Sequence, residues 1–186
     1  WRRTDLNCDH MQGPASSPVL VDNLVILTVE GTDKQFIAAL DKKDGSTVWM
    51  YNRPADLYTG VQGVYMKSYQ TPVILTIDGE RQLVSNGALM AAGHDLRTGE
   101  ERWRIRYKED STISRIVAGN GMLFINTGGP PGGTELWGVR EGGTGDLTDT
   151  NVVWKMTEEV PHESSPVLVG DLLYTLSDAG VLKCLQ

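Results

Sequence analysis

The chain is poor in the residues on which metal and thiol redox sites depend. Its 186 residues include only two cysteines and three histidines, and none of these are spaced as pairs of metal ligands. Structural zinc sites use four cysteine or histidine ligands at short, regular spacings, so we expect no metal site of this kind. The cysteines, Cys8 and Cys184, stand near opposite ends, and the sequence is compatible with one disulfide or with two separate thiols.

Long apolar runs and an excess of basic residues are also missing. No apolar stretch approaches the roughly twenty residues that span a bilayer, so no membrane span is predicted. Acidic residues outnumber basic ones by 24 to 17, which argues against binding to nucleic acid or to an anionic membrane surface. The first residue is Trp1 rather than methionine. We therefore expect a processed or excised N-terminus, and a missing leader carries no information about the compartment.

A repeated motif dominates the sequence. The stretch 38–49 returns as 91–103, and in both copies a glycine follows an aspartate by four residues and a tryptophan follows that glycine by four more. A proline precedes the tryptophan by 31 residues in both copies. Self-similarity at a period near fifty indicates a solenoid, propeller or array. The repeated residues are Asp41, Gly45 and Trp49 in the first copy and Asp95, Gly99 and Trp103 in the second.

Two further copies follow, and each copy reads as a small antiparallel sheet. Short β-branched runs separated by tight polar turns are typical of hairpin strands, and no helical periodicity persists. The third copy ends on Trp154 and has Arg115 in place of the proline, whereas the fourth lacks its last turn and tryptophan. We expect the Trp1 segment to belong to a preceding or closing unit. The predicted sheets cover residues 17–51, 71–107, 112–156 and 165–186.

The repeated residues have structural explanations. An aspartate hydrogen-bonds the backbone of its own turn, and glycine supplies a positive φ. A tryptophan brings a large apolar area to an outer strand. Because an isolated four-stranded sheet is barely stable, such sheets are expected to stack face to face around an axis.

The Ser-Pro-Val and Ala-Leu-Asp-x3-Gly-x3-Trp pattern resembles the pyrroloquinoline quinone-like β-propeller repeat. It looks most like the uncharacterised exported bacterial proteins of this family, which is related to quinoprotein dehydrogenases and to the propeller lipoprotein of outer-membrane assembly. The resemblance implies an all-β propeller, commonly of eight sheets, in which the tryptophan of one sheet docks onto its neighbour. This chain would then be part of a roughly eight-bladed ring.

For function, the resemblance leaves two hypotheses. The first is a non-enzymatic binding or scaffolding propeller, periplasmic or otherwise extracytoplasmic, that holds a protein or glycan and needs no cofactor. The alternative is an oxidoreductase dependent on pyrroloquinoline quinone and calcium, although the adjacent cysteines of its alcohol-dehydrogenase branch are absent. The incomplete last copy indicates either a piece of a longer chain or completion of the ring by the Trp1 segment, within one chain or in a homodimer.

Candidate ligand-binding residues lie in the loops that precede the first strand of each sheet. His94, beside a turn aspartate, is expected to be structural. Asp146 and Asp149 are interpreted as parts of a solvated hairpin extension rather than a cation site. The glycine-rich run 128–133 precedes a strand and lacks the Lys-Ser/Thr of a phosphate loop, so we interpret it as a flexible loop. The ligand-face candidates are His10, Gln12, Lys67, Tyr69, Arg115 and His162.

Overall fold

The computed structural model of the chain describes residues 1–129 and 133–186, and its regular structure is almost entirely β-strand. The first eight strands are β1 (Val19–Val21), β2 (Leu24–Glu30), β3 (Gln35–Asp41), β4 (Thr47–Asn52), β5 (Val73–Ile77), β6 (Glu80–Gly87), β7 (Met90–Asp95) and β8 (Glu101–Arg106). The others are β9 (Val117–Gly119), β10 (Met122–Asn126), β11 (Leu136–Arg140), β12 (Gly145–Asp146), β13 (Val152–Met156), β14 (Val167–Val169), β15 (Leu172–Leu176) and β16 (Leu182–Leu185).

Helical structure is confined to short segments. One α-helical turn, α1 (Thr148–Asn151), precedes β13, and two 3₁₀ turns, Ala55–Tyr58 and Gly63–Tyr65, lie between β4 and β5. Within residues 1–129 and 133–186, no helix has the length and apolar character needed to cross a membrane.

The strands form four sheets in chain order. The first contains β1 to β4, the second β5 to β8, the third β9, β10, β11 and β13, and the fourth β14 to β16. Neighbouring strands in each series are antiparallel. The prediction of an all-β fold built from small antiparallel sheets is therefore confirmed.

The connections distinguish the two ends of the sheets. Because consecutive strands run in opposite directions, the segments that join successive sheets lie at the same end as the loops between the second and third strands. We call this end the loop face. The hairpin turns after the first and third strands lie at the opposite end, the turn face.

Aspartate and glycine build two of the turns on the turn face. Oδ1 of Asp41 and of Asp95 accepts a hydrogen bond from the backbone N–H two residues further on, at 2.7 Å and 2.9 Å. Gly45 and Gly99, four residues after the aspartates, have φ of +74° and +76°. Only glycine adopts this left-handed conformation without strain, which accounts for the repeated spacing.

Each of the first three sheets is covered on one side by the next sheet. We call this side of a sheet its forward face and the opposite side its rear face. Between the first and second sheets, Ile26 and Ile37 of the forward face form a buried cluster with Leu83 of the rear face. Trp103 of the second sheet clusters in the same way with residues of the third. Phe124 of the third sheet clusters with residues of the fourth.

Two tryptophans dock onto the turn of a neighbouring sheet. The indole N–H of Trp49 donates to the carbonyl of Leu96 at 3.1 Å, and a Cβ on Gly99 would approach the indole to 2.5 Å. Trp1 docks in the same way on the turn of the first sheet, where a Cβ on Gly45 would approach its indole to 2.5 Å. Glycine is thus required at these turns both for its backbone conformation and for the space above it.

Trp103 and Trp154 instead lie over residues of their own sheets. A Cβ on Gly93 would collide with Trp103, and a Cβ on Gly138 would collide with Trp154. These glycines are the cross-strand partners of the two tryptophans. In the first sheet the partner is Ala39, whose methyl group occupies this space.

The hairpin extension of the third copy reaches back to the second sheet. Its strand β12 pairs in parallel with β8, with Gly145 opposite Trp103. Asp146 Oδ2 lies 2.9 Å from Nε of Arg106. The extension is therefore a fifth strand of the second sheet, and Asp146 is solvent-exposed within it. Asp149 lies in α1 and is exposed.

A buried ion pair links the first and second sheets. Nε and Nη2 of Arg53 lie 2.8 Å and 2.6 Å from Oε1 of Glu30, and both side chains are almost inaccessible to solvent. Nη2 also donates to Ser85 at 3.2 Å. Burial raises the pKa of the Glu30 carboxyl, and the neighbouring guanidinium opposes that rise. The two buried charges are tolerated because each compensates the other.

His94 is a buried neutral side chain, and this predicts a pH dependence of stability. Burial lowers its pKa to about 3. The unfolded chain takes up a proton near an ordinary histidine pKa of about 6.5, so acidification between these values favours unfolding by roughly 1.4 kcal/mol per pH unit. We expect urea unfolding to show that, between about pH 7.5 and pH 5, the chain loses about 2 kcal/mol more stability than a His94→Gln variant. Equal losses in both proteins would contradict a neutral buried His94.

Candidate functional site

Four of the candidate residues meet on the loop face. Nζ of Lys67 donates to Oε1 of Gln12 at 3.0 Å, and the hydroxyl of Tyr69 donates to the same oxygen at 2.8 Å. The ring of His10 stands edge-on to Tyr69, with centroids 5.0 Å apart. Lys67 is buried and Gln12 is exposed. Gln12 therefore supplies one uncharged acceptor oxygen to a buried ammonium group from the solvent side.

Asp110 extends this group from the following connection between sheets. The backbone N–H of Ser111 donates to the carbonyl of Lys67 at 2.9 Å, which aligns the two connections. Asp110 is 2% exposed. Its Oδ2 accepts a hydrogen bond from the Ser111 hydroxyl at 2.8 Å, while Oδ1 has no hydrogen-bond partner among the described residues. A buried carboxyl oxygen without a partner is costly, so it marks a position suited to a donor group.

His162 completes the arrangement from the last connection. The backbone N–H of Gly129 donates to the carbonyl of Asp110 at 2.9 Å, and a Cβ on Gly129 would collide with the ring of His162. In the described part of the chain, Nε2 of His162 and both ring nitrogens of His10 are buried without a partner. We call the set of His10, Gln12, Lys67, Tyr69, Asp110 and His162 the loop-face cluster.

The charges of the loop-face cluster are set by burial. Burial, and then the nearby Lys67 ammonium, lower the pKa of His10, which keeps this imidazole neutral at pH 7. Burial raises the pKa of Asp110, while the Ser111 hydroxyl and Lys67 oppose the rise. The cluster therefore combines an ammonium and a carboxyl with imidazole nitrogens that can donate or accept. Such a set can hydrogen-bond a polar group that carries both donors and acceptors.

Arg115 lies apart from this cluster. Its side chain is exposed, and it lines a cavity of about 420 Å³ between the first strands of the second, third and fourth sheets. Apolar residues such as Leu75 and Val117 form much of the wall. Its backbone N–H donates to the hydroxyl of Ser165 at 3.0 Å. The structure thus brings five of the six candidate residues together and places Arg115 separately.

Asp110 is the functional candidate that the sequence reasoning missed. It precedes Arg115 by five residues, and Lys67 precedes Pro72 by the same interval. The repeat places Asp110 and Lys67 at the same position in successive connections between sheets, so the sequence did contain a signal for Asp110. It was hidden because the third copy lacks the proline that marks the start of the first strand.

The glycine-rich run extends beyond the described structure. Gly128 and Gly129 lie beside Asp110, and Gly128 has a φ of +104°. Half of the predicted flexible loop, residues 130–132, lies outside the described residues.

The described residues do not fit the calcium site that the quinone-enzyme alternative requires. They bring together no three His, Cys, Asp or Glu side chains able to hold a metal ion. Asp110 is the buried carboxyl of the cluster, and the Lys67 charge already acts on it. A second cation beside Lys67 would be repelled. We therefore derive no catalytic step through a quinone.

Comparison with known proteins relates the chain to one family. The family model described as "Outer membrane protein assembly factor BamB" matches residues 9–186. No match to the chain was found among curated proteins.

Solved structures share the fold at low sequence identity. BamB from Moraxella catarrhalis is 14% identical with a TM-score of 0.53, and the match covers 95% of this chain and 47% of that one. The computationally designed Ika4 protein is 12% identical with a TM-score of 0.55, covering 99% and 98%. Quinohemoprotein alcohol dehydrogenase from Comamonas testosteroni is 18% identical with a TM-score of 0.56, covering 84% and 22%. The chain thus spans about half the length of the BamB structure.

The repeat, the stacked sheets and these similarities agree on the fold. The structural similarities concern the fold alone, and they identify it as a β-propeller. The family model covers almost the whole chain. The predicted membership in the pyrroloquinoline quinone-like propeller repeats is confirmed, and the chain belongs to the family described as outer membrane protein assembly factor BamB.

Proposed function

We propose that the protein is a non-enzymatic binding propeller that holds an extended polypeptide on its loop face, outside the cytoplasm. The observation that carries this proposal is the buried Lys67 ammonium, which donates a hydrogen bond to the exposed side chain of Gln12, a flexible polar residue. A carbonyl or carboxylate of a partner can replace the Gln12 amide oxygen. The Lys67 and Tyr69 hydrogen bonds are then kept, and only a solvent-side amide is displaced.

The unpartnered atoms of the cluster favour a polypeptide. A polypeptide backbone offers both kinds of group, an N–H donor for Oδ1 of Asp110 and a carbonyl acceptor for Lys67. Exposed Met11, beside Gln12, adds an adaptable apolar contact. The family description supports a protein partner and a location outside the cytoplasm. We therefore infer a scaffold of the outer-membrane assembly kind, and a glycan partner is the competing outcome.

A peptide array tests this proposal. The probes are synthetic peptides that cover the strands of an outer-membrane β-barrel, with a glycan array in parallel. We expect Lys67→Met to weaken peptide binding about tenfold or more, because a charge-assisted hydrogen bond is lost. Gln12→Ala is expected to maintain or strengthen binding, because it uncovers Lys67.

Lys43→Met is the matched control, because Lys43 is exposed on the turn face and should not affect binding. Thermal unfolding verifies that each variant is folded. Equal weakening by both lysine variants would contradict a loop-face site. Binding to glycans but not to peptides would replace the polypeptide proposal.

A further inference from the structure

The chain itself adds an extended segment to the outer edge of one sheet. β12, in the hairpin extension of the third copy, pairs in parallel with β8, the fourth strand of the second sheet. The backbone N–H of Leu147 donates to the carbonyl of Arg104 at 2.9 Å. The backbone N–H of Arg106 donates to Oγ1 of Thr148 at 2.9 Å. The outer edge of a sheet in this fold therefore binds an extended segment through its own backbone groups.

The corresponding edge of the first sheet is open. Within the residues that the structure describes, β4 pairs with β3 alone. In the third copy, the segment that covers β8 lies between β11 and β13. The equivalent hairpin of the second copy, between β7 and β8, is the tight turn formed by Asp95 and Gly99, and it has no extension. The edge of β4 is therefore left open by the shortness of an internal hairpin.

The pairing of β3 with β4 shows which backbone groups of β4 face outward. The backbone N–H of Arg53 donates to the carbonyl of Gln35 at 3.0 Å, directly beyond the end of β4. Residues of an antiparallel pair alternate between bonding their partner strand and facing away from it. Met50 and Asn52 therefore direct their backbone N–H and carbonyl groups away from β3. The residues at the same two positions of β8 are the ones that bond the segment starting at β12.

β4 lacks the charges that usually protect an edge strand. Natural proteins prevent unwanted pairing with charged residues, prolines and bulges on such strands. β8 has the sequence Glu-Arg-Trp-Arg-Ile-Arg, and Nε of its Arg106 lies 2.9 Å from Oδ2 of Asp146 in the segment that covers it. β4 has the sequence Thr-Val-Trp-Met-Tyr-Asn, and its register is regular over residues 49–52. An uncharged edge of this kind suits an uncharged strand.

We propose that β4 is a docking edge for an extended, uncharged polypeptide segment, which joins the first sheet as a fifth strand parallel to β4. A carbonyl of the segment accepts a hydrogen bond from the N–H of Asn52, and an N–H of the segment donates to the carbonyl of Met50. Strands added to a sheet edge gain their affinity from such main-chain hydrogen bonds. The result is a five-stranded sheet, as the chain already forms with β5 to β8 and β12. No residue of the loop-face cluster belongs to this edge, so the two sites are independent.

Hydrogen exchange measured by mass spectrometry tests the proposed edge. The probes are capped, uncharged peptides from the strands of an outer-membrane β-barrel. Each has a partner form that is N-methylated at two adjacent residues and cannot pair through either of its edges. We expect an unmethylated peptide to slow exchange in the segment 47–52 about tenfold or more, and its N-methylated form to leave exchange unchanged, because pairing needs the peptide N–H groups. The same protection is expected in Lys67→Met, which impairs the loop-face site alone.

A variant of the edge itself provides a second readout. Asn52→Pro removes the outward N–H and leaves the bonds to β3 in place, and proline is tolerated at such edge positions. We expect it to weaken peptide binding about tenfold, because one main-chain hydrogen bond is lost. Asn52→Ala is the matched control, because it changes the same side chain and keeps the N–H. Circular dichroism verifies that both variants are folded.

Several outcomes would overturn the proposed docking edge. These are equal protection by the unmethylated and N-methylated peptides, no protection of the segment 47–52 by any peptide, or equal effects of the two Asn52 variants. Protection that appears without peptide and grows with protein concentration would assign the edge to a second copy of the chain instead. If Asn52→Pro does not fold, the comparison of the two peptide forms still decides.

Discussion

Replacing Arg53 by methionine is expected to lower the free energy of unfolding by about 3–5 kcal/mol, because the Glu30 carboxylate is left buried without its partner. Both side chains are almost completely inaccessible, so water cannot solvate the remaining charge. Urea unfolding followed by circular dichroism measures the loss. A part of the loss should be recovered at low pH, where protonation removes the uncompensated charge of Glu30.

A double variant separates the buried charge from the lost packing. Replacing both partners, by Glu30→Gln and Arg53→Met, removes the pair without leaving a bare charge, and such exchanges are often nearly neutral. We therefore expect the double variant to be more stable than Arg53→Met alone. If the losses of stability caused by the two single replacements simply add in the double variant, Glu30 and Arg53 do not act as a unit.

Trp49→Ala is expected to destabilise the protein by about 3–5 kcal/mol, the usual cost of removing a buried large aromatic side chain. The indole is 7% exposed and joins the forward face of the first sheet to the turn of the second. Its N–H bond to the Leu96 carbonyl is lost as well. Chemical unfolding measures this effect.

Trp1→Ala is the control for docking without burial. Trp1 makes the same contact with a turn glycine, but 60% of its surface is exposed in the single chain. Trp1→Ala should therefore lower the free energy of unfolding much less than Trp49→Ala does, because folding buries less apolar area of Trp1. Similar costs for both would mean that burial between sheets is not what Trp49 contributes.

The fold could be predicted because the same local chemistry recurs along the chain. The aspartate, glycine and tryptophan positions that anchor the prediction are the ones that form turns and bury the first-to-second sheet contact. Periodic motifs predict such features because each copy of the repeat packs against its neighbours in the same way.

The departures arise where one copy differs from the others. β12 pairs with the second sheet through an insertion that has no counterpart elsewhere, so no repeat could reveal it. Trp103 turns back over Gly93 because a glycine replaces the alanine of the first copy. Neither effect is visible in a pattern of tryptophan spacings. The position of Trp103 depends on a single methyl group, and the pairing of β12 depends on a contact between segments far apart in the chain.

The candidate site was predictable as a region and not as a set of contacts. Loops before the first strands converge at one end of any such stack, and this brought His10, Lys67 and His162 onto one face. That Lys67 shares an acceptor with Tyr69, and that Asp110 lies beside it, depends on the conformations of irregular connections. The conformations of these connections do not follow a motif that recurs along the sequence, so the repeat does not predict them.

Trp49 joins the first sheet to the second by docking on the turn glycine Gly99, and a double-mutant cycle tests this contact most directly. Gly99→Ala and Gly79→Ala both place a Cβ at a similar φ, +76° and +78°, but only Gly99 lies beneath an indole. In the unmodified chain, Gly99→Ala should cost about 1–3 kcal/mol more than Gly79→Ala, because its methyl overpacks the interface. In a Trp49→Ala background the two costs should be equal. The same cost for both glycines in the unmodified chain, or a difference that survives without Trp49, would contradict the account.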